Sequence, residues 1–553
     1  MNIYQVLPRL FGNKNTPNKP NGTLAENGCG KLNDFTPKAL LEIKNMGITH
    51  IWYTGIIEHA TQTNYTDFDI ALDHPGVVKG IAGSPYAIKD YYDIDPDLAV
   101  DVPLRMKEFE ALIDRTHKAD LKAIIDFVPN HVARQYKSDA KPIKIKDLGQ
   151  TDNTDWAFSP QNNFYYLPNQ HLTPQFDAKG YEEYPAKATG NDQFTASPGI
   201  NDWYETVKLN YGVDYQGGRI NCFDPIPDTW IKMRDILLFW SKKKVDGFRC
   251  DMAEMVPVEF WAWVIPEVKE EFSDIIFIAE VYNPSEYRNY IYYGKFDYLY
   301  DKVGLYDTLR AITCNQGPWA ADITHCWQAV NDIQPYMLNF LENHDEQRIA
   351  SDSFAGNPAK AIPAMIVSTT FSAAPTMIYA GQELGELGMD AEGFSGKDGR
   401  TTIFDYWSVE SIRNWVVAKF DDKALTQEQQ NLKAFYKKLL TLKLNDKALS
   451  EGTSYDLMWA NFENERFSLE KQFAFFRKYE NDLLLIIVNF DDKDVSLGLN
   501  IPEHAFEFLN MEHKKNAKCL DLLSGKSVTQ DFSSASRFNI DISKYQGVIL
   551  KIS

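Results

Sequence analysis

Short runs of β-branched and aromatic residues alternate with longer stretches in which apolar side chains recur at helical spacing, from the first residues to about Asn445. Such repetition predicts βα units around a parallel sheet, because a strand covered on both faces reads as a brief apolar run while its covering helix keeps one polar face. Eight strands are expected, at residues 3–7, 50–54, 123–128, 247–251, 275–279, 298–300, 337–341 and 376–379, the sixth having the weakest pattern. Eight units close an α/β structure into a (β/α)₈ TIM barrel.

Two departures from the repeat set the domain organisation. Between His131 and about Phe223 the chain is rich in Asn, Asp, Pro, Gly and Tyr and shows no helical period, and a connection that long needs a fold of its own. Its Tyr, Trp and Phe content argues against disorder. A helix at residues 225–241 should return the chain to the barrel. After an amphipathic helix at 427–442, short alternating segments at 472–477, 483–489 and 547–552 predict a separate antiparallel β-domain. The expected division is therefore a barrel from residues 1–131 and 224–446, an inserted domain at 132–223, and a C-terminal β-sandwich at 447–553.

Composition narrows the partners. Of 553 residues, 57 are Lys or Arg and 77 are Asp or Glu, and a net charge of −20 repels phosphate backbones and anionic headgroups, so neither nucleic acid nor a membrane surface is expected. The stretch 361–381 contains Pro363 and Pro375 and reads as a buried helix followed by a strand, not a membrane span. With 12 Trp, 29 Tyr and 33 Phe the chain has many flat apolar faces, most of them core, that suit neutral sugars. Six cysteines without a CxxC pair argue against a zinc site or a disulfide framework. The opening MNIYQVLPRLFGN lacks the basic and apolar regions of a signal peptide, which leads to the expectation of a cytoplasmic protein, or of a periplasmic or secreted one whose leader has been trimmed.

In a barrel of this kind the chemistry sits where strands end. The fourth strand ends in GFRCDMA with Asp251, the fifth in FIAEVY with Glu280, and the seventh in FLENHD with Asp345. A pair of carboxylates flanking a bond is what glycoside hydrolysis needs, and side chains at matching heights on strands ~4.8 Å apart suit the ~5–5.5 Å separation of a retaining pair. Arg249 lies two residues before Asp251, on the same face of its strand, where its charge should keep Asp251 ionised. Glu280 should hold its proton with help from the negative charge of Asp345. The third strand runs IIDFVPNH, placing Asp126, Asn130 and His131 at the mouth, where His131 and His344 could bond sugar hydroxyls.

DFVPNH, GFRCDMA, AEVY and FLENHD, in this order at strand ends, resemble the four short motifs of the α-amylase family, glycoside hydrolase family 13. The resemblance spans the barrel and extends to that family's inserted domain B and C-terminal domain C. It implies Asp251 as nucleophile, Glu280 as acid/base and Asp345 as the residue favouring the distorted sugar. It further implies Arg249, His131, His344, Tyr282 and Tyr86 (in SPYAIKDYYDID) around the cleaved ring, with Asp126 and Asn130 in supporting roles. The implied activity is retaining hydrolysis of α-1,4-glucosidic bonds in starch-like α-glucans or maltooligosaccharides. The alternatives are a neopullulanase- or cyclomaltodextrinase-like hydrolase, a transglycosylase, and, from a different class, a catalytically dead scaffold, which retention of all three acids disfavours.

Glu254 and Met255 stand where many relatives carry a Lys-His pair, and Lys208-Leu209-Asn210 resembles the neopullulanase branch. The chemistry implies no cofactor. A structural calcium would draw on Asn13 and Asn15 in the loop at residues 12–30, or on Asn130; because the loop supplies mainly amides and one acid, Glu26, a solvated turn is the favoured reading there.

Overall fold

The computed structural model describes residues 1–388 and 396–553. Eight parallel strands close a barrel in chain order: β1 (Asn2–Val6), β2 (His50–Tyr53), β3 (Lys122–Phe127), β4 (Gly247–Cys250), β5 (Ile276–Ala279), β6 (Tyr298–Tyr300), β7 (Met337–Phe340) and β8 (Thr376–Tyr379), with β8 pairing back onto β1. All eight lie within a residue or two of their expected positions, and β6 is indeed the shortest. Gly247 shows why β4 can start where it does: a Cβ there would stand 2.5 Å from Ile276 Cγ1 and 3.0 Å from the Ile276 carbonyl oxygen.

The helix expected at 225–241 runs from Asp228 to Lys242. Its start is displaced because Pro227 holds an extended backbone (φ −58°, ψ 142°) immediately before the first turn. The helix Gln427–Asn445 begins on a capping box, in which Thr426 Oγ1 accepts from the Gln429 amide and the Gln429 side chain accepts from the Thr426 amide. As expected, residues 361–381 form a buried helix, Ile362–Thr370, and then β8. Among the described residues no helix is long and apolar enough to cross a membrane.

Two loops shape the mouth. After β2 the chain forms a bulged hairpin of Ile57–His59 with Ile88–Ile94, which had no counterpart among the expected elements. After β3, the strand His131–Ala133 pairs antiparallel with Thr206–Lys208, so that His131 faces Lys208 in register. Three further two-residue strands and an Ala186–Lys187 segment lie along this inserted stretch, without a helix.

Beyond the barrel, β9 (Thr453–Asp456), β10 (Gln472–Tyr479), β11 (Asp482–Asn489), β12 (Lys514–Asp521), β13 (Ser527–Phe532) and β14 (Gln546–Ile552) form an antiparallel sheet in the order β9-β10-β11-β14-β12-β13. Val495–Leu499 and Phe538–Ile542 make a separate pair. The large sheet docks on the barrel through Phe371, whose ring meets Phe473 and Phe475 with centroids 5.4 and 4.8 Å apart. Beside it the buried Arg477 donates to the carbonyls of Ala448 (2.9 Å), Leu449 (3.0 Å) and Phe371 (3.2 Å) and to Ser454 Oγ (2.6 Å). Replacing it by an apolar residue strands those acceptors away from water. Arg477→Met is expected to destabilise the chain by ~3 kcal/mol, read as a lower first unfolding midpoint, and an unchanged midpoint would contradict this role.

Candidate active site

The strand ends converge on the guanidinium of Arg249, which is fully buried. Its Nη1 lies 2.6 Å from Asp251 Oδ1 and 3.6 Å from Asp126 Oδ1, and its Nη2 lies 2.8 Å from Glu280 Oε2. Nε donates to the Tyr300 hydroxyl at 3.1 Å, and the rings of Trp52, Tyr86 and Tyr300 stand 5.1–5.6 Å from Cζ. Register explains the convergence. Arg249 pairs with Asp126 on one side and Ile278 on the other, and Cys250 pairs with Ala279, so Asp251 and Glu280 leave neighbouring strands at one height. Their amides continue the ladder, Asp251 N donating to the Phe127 carbonyl at 2.9 Å and Glu280 N to the Cys250 carbonyl at 3.2 Å.

Arg249 lowers the Asp251 carboxyl as expected from the sequence, but burial works against it. Burial pushes the Asp251 carboxyl well above the usual range, and although Arg249 opposes the rise, the charges of Glu280 and Asp345 add to it. One guanidinium thus answers two carboxylates, Asp251 and Glu280, from neighbouring strands.

Asp345 differs. Burial disfavours its charge, but the His344 imidazole, 3.0 Å away, and the more distant Arg249 carry it down to about 2. Its side chain is also 43% exposed, where water supports the ion. His344 is fixed from both sides: Gln5 Nε2 lies 2.7 Å from Nδ1, and the Tyr86 hydroxyl 2.6 Å from Nε2. Asp126 accepts from Trp52 Nε1 and the Gly55 amide, both at 3.1 Å, and so supports Arg249 from beneath without facing the opening.

The opening is a cleft of ~390 Å³ lined by Tyr86, His131, Asp251, Glu280, Tyr282 and Asp345, together with Trp203, Glu205, Arg400 and Phe404. The Tyr282 hydroxyl donates to Glu280 Oε1, and the Met252 amide donates to Oε2 at 2.8 Å. Glu254 accepts from the Tyr282 and Asn283 amides at 2.9 and 3.0 Å and thereby shapes the loop after β5. Asn130 lies one layer out. Its oxygen accepts from the Lys208 ammonium, which also reaches the Met255 carbonyl at 3.1 Å and Asp192 at 2.7 Å. Asn13 is likewise engaged, its oxygen accepting from the Asn15 amide at 3.1 Å while its nitrogen donates to the Asn27 and Trp407 carbonyls. The oxygens that Asn13 and Asn130 would offer a metal therefore already accept hydrogen bonds, and Asn15 is exposed.

Sequence reasoning missed Trp203, whose ring stands 5.2 Å from that of His131, and the Lys79–Glu205 ion pair of 3.0 Å on the same wall. Both come from irregular backbone that only long-range pairing brings to the mouth, so no local period marks them. Glu254 was noticed as a departure; its contacts with the backbone after β5 depend on the turn between β4 and its helix.

The description "Alpha amylase, catalytic domain" fits residues 5–473. Neopullulanase 2 of Thermoactinomyces vulgaris is 21% identical over 99% of this chain and 77% of its own length. Alpha-amylase MalA of Haloarcula japonica is 22% identical over 85% of this chain, which spans about half (54%) of that longer protein. Among solved structures, the alpha-amylase of Geobacillus thermoleovorans complexed with acarbose superposes with a TM-score of 0.64 at 20% identity, covering 100% of this chain and 98% of that one.

Burial, followed by the charges of Lys208 and Lys79, lowers His131 to about 3. Its folded value lies below the ~6.5 of an unfolded histidine, so the native ring stays neutral and the resulting stability is present above pH ~6.5 and declines as pH falls toward 3. In a histidine-labelled NMR titration, the resonance assigned through His131→Gln should stay flat from pH 8 to pH 5; a midpoint near the unfolded value would contradict the burial argument.

Proposed function

We propose that this chain, which belongs to the α-amylase family, hydrolyses α-1,4-glucosidic bonds in starch-like α-glucans or maltooligosaccharides by double displacement with retention of configuration. The observation that carries the reading is the guanidinium of Arg249 bridging Asp251 and Glu280 at one height on adjacent strands. In the first step the Asp251 carboxylate attacks the anomeric carbon while Glu280, as general acid, gives its proton to the departing glycosidic oxygen. A glycosyl ester on Asp251 results, and the free sugar end leaves. In the second step the Glu280 carboxylate takes a proton from water as its oxygen attacks the anomeric carbon, releasing Asp251 and restoring the starting state.

Asp345, ionised by its environment, faces the positive charge that builds on the ring between these steps. Tyr86 and Trp203 supply ring faces, His131 supplies an imidazole for hydroxyls, and His344, expected from the sequence to do the same, is engaged by Gln5 and Tyr86 and positions Tyr86 and Asp345. Asp126 and Tyr300 position Arg249, while Tyr282 positions Glu280. No step calls for a metal or cofactor. We assign the work to a catalytic barrel of residues 1–131 and 224–446, with 132–223 as its lid-like insertion and 447–553 as a stabilising β-sandwich.

A second reading, tolerance of α-1,6 branch points or transfer to a sugar hydroxyl, is favoured by Lys208. The ammonium holds the Met255 carbonyl beside Glu254, at the two positions where contacts beyond the cleavage point would arise. Digestion of starch and pullulan separates the readings: linear maltooligosaccharides from starch alone support the first, and rapid pullulan cleavage or isomerised or elongated products the second.

Asp251→Asn is expected to lose activity on the order of 10⁴-fold without loss of folding, and parent-like rates would remove Asp251 from its role. Freshly released reducing ends should be α-anomers by proton NMR before mutarotation. Initial β-anomers would show inversion and refute the double displacement.

A further inference from the structure

The hairpin after β2 carries a carboxylate that the catalytic reading does not use. Glu58 is 1% exposed, and neither of its side-chain oxygens has a hydrogen-bond partner in the protein. Across the bulged pairing it faces Asp90, which is fully buried, and Asp139 approaches from the start of the inserted stretch, exposed to solvent. One oxygen from each of the three lies within 4.8 Å of the others. Asp90 is itself well supplied with donors: Oδ1 accepts from the Tyr92 amide (2.8 Å) and Ser138 Oγ (2.6 Å), and Oδ2 from the Asp139 and Ala140 amides (2.9 Å each). Those bonds fix its carboxylate in place but leave Glu58 unanswered.

A buried carboxylate without a donor is costly as an ion, and protonation alone does not resolve it, because its hydroxyl would need an acceptor. The nearest cation, Lys89, is turned to Asp73 at 3.0 Å and to the Ala71 carbonyl. Burial, then the charge of Asp90, raises Glu58 to about 9, with Asp139 and Asp93 adding and Lys89 opposing; burial and Asp90 likewise raise Asp139 to about 6. Three converging carboxylates, all-oxygen and with one open to solvent as an entry path, match a hard divalent cation, and their freedom to bind through one oxygen or two suits calcium better than the rigid octahedron of magnesium.

We propose that Glu58, Asp90 and Asp139 form a calcium site that ties the hairpin bearing Tyr86 to the beginning of the inserted segment at residues 138–140. The site is separate from Asn13, Asn15 and Asn130. Because Asp90 lies four residues beyond Tyr86 on the same hairpin, the bound ion would brace the backbone that presents this ring to the cleft.

The test uses the full chain stripped with EDTA and titrated with calcium chloride by calorimetry, alongside Glu58→Gln and Asp139→Asn. Asp139 is exposed, so its variant is expected to fold even where the Glu58 variant does not. The parent should bind one calcium that both variants lose or bind at least ~10-fold more weakly. Millimolar calcium should raise the parent's unfolding midpoint by ~2 °C or more and leave that of Asp139→Asn unmoved. A parent that binds no calcium up to millimolar concentration, or an Asp139→Asn variant that keeps the parent's stoichiometry and affinity, overturns the proposal.

Discussion

A guanidinium taken out of water among aromatic rings is unfavourable unless carboxylates answer it, and Arg249 is answered from three neighbouring strands, by Asp126, Asp251 and Glu280. Removing one partner of such a buried group costs ~3–5 kcal/mol, so the cluster holds its geometry by mutual need. Burial raises the Asp251 carboxyl while Arg249 opposes the rise, so its charge depends on that one guanidinium. Asp345, half-exposed and beside His344, stands outside the cluster and remains an anion. Asp251 and Asp345, both at the C-terminal ends of barrel strands, are thus shifted in opposite directions by their surroundings.

The loops around this cluster are held by ionic contacts of a different kind. Lys208, on the strand that pairs with His131, binds Asn130, Asp192 and the Met255 carbonyl, and so joins the inserted stretch to the turn after β4. Glu254 binds the two amides after β5. The turn after β4 and the loop after β5 are therefore held by a Lys-Asn-carbonyl knot and by a carboxylate that accepts from two amides. The hairpin with Tyr86 closes the other wall, and its ring stacks on His344 with centroids 5.1 Å apart.

What could be read from the chain follows the same division. The barrel strands were legible because strands buried on both faces leave compact apolar runs, and β4, β5 and β7 ended in carboxylates at the predicted positions. Arg249 and Asp251 sharing a strand face followed from period two. The helix start was expected three residues early, at Pro225, because proline is compatible with a first helical turn, whereas Pro227 keeps the backbone extended up to Asp228. The hairpin after β2, Trp203 and the Lys79–Glu205 pair were invisible, since bulges and two-residue strands have no period and their partners lie far along the chain. The surroundings of Asp251 were only partly legible: the sequence shows that Arg249 is adjacent, not that Glu280 shares it or how completely burial removes water.

The account stands or falls on whether Asp251 forms a bond to sugar while Glu280 manages the proton. Glu280→Gln, incubated with an α-glucosyl fluoride whose leaving group needs no acid, should accumulate a glycosyl ester, because the second step lacks its base. Peptide mass spectrometry of the quenched protein is predicted to find one hexose on the peptide containing Asp251 and none on that protein's Asp345 peptide. An adduct on a different residue, or fluoride turnover at the parent rate with no adduct, would contradict the assignment.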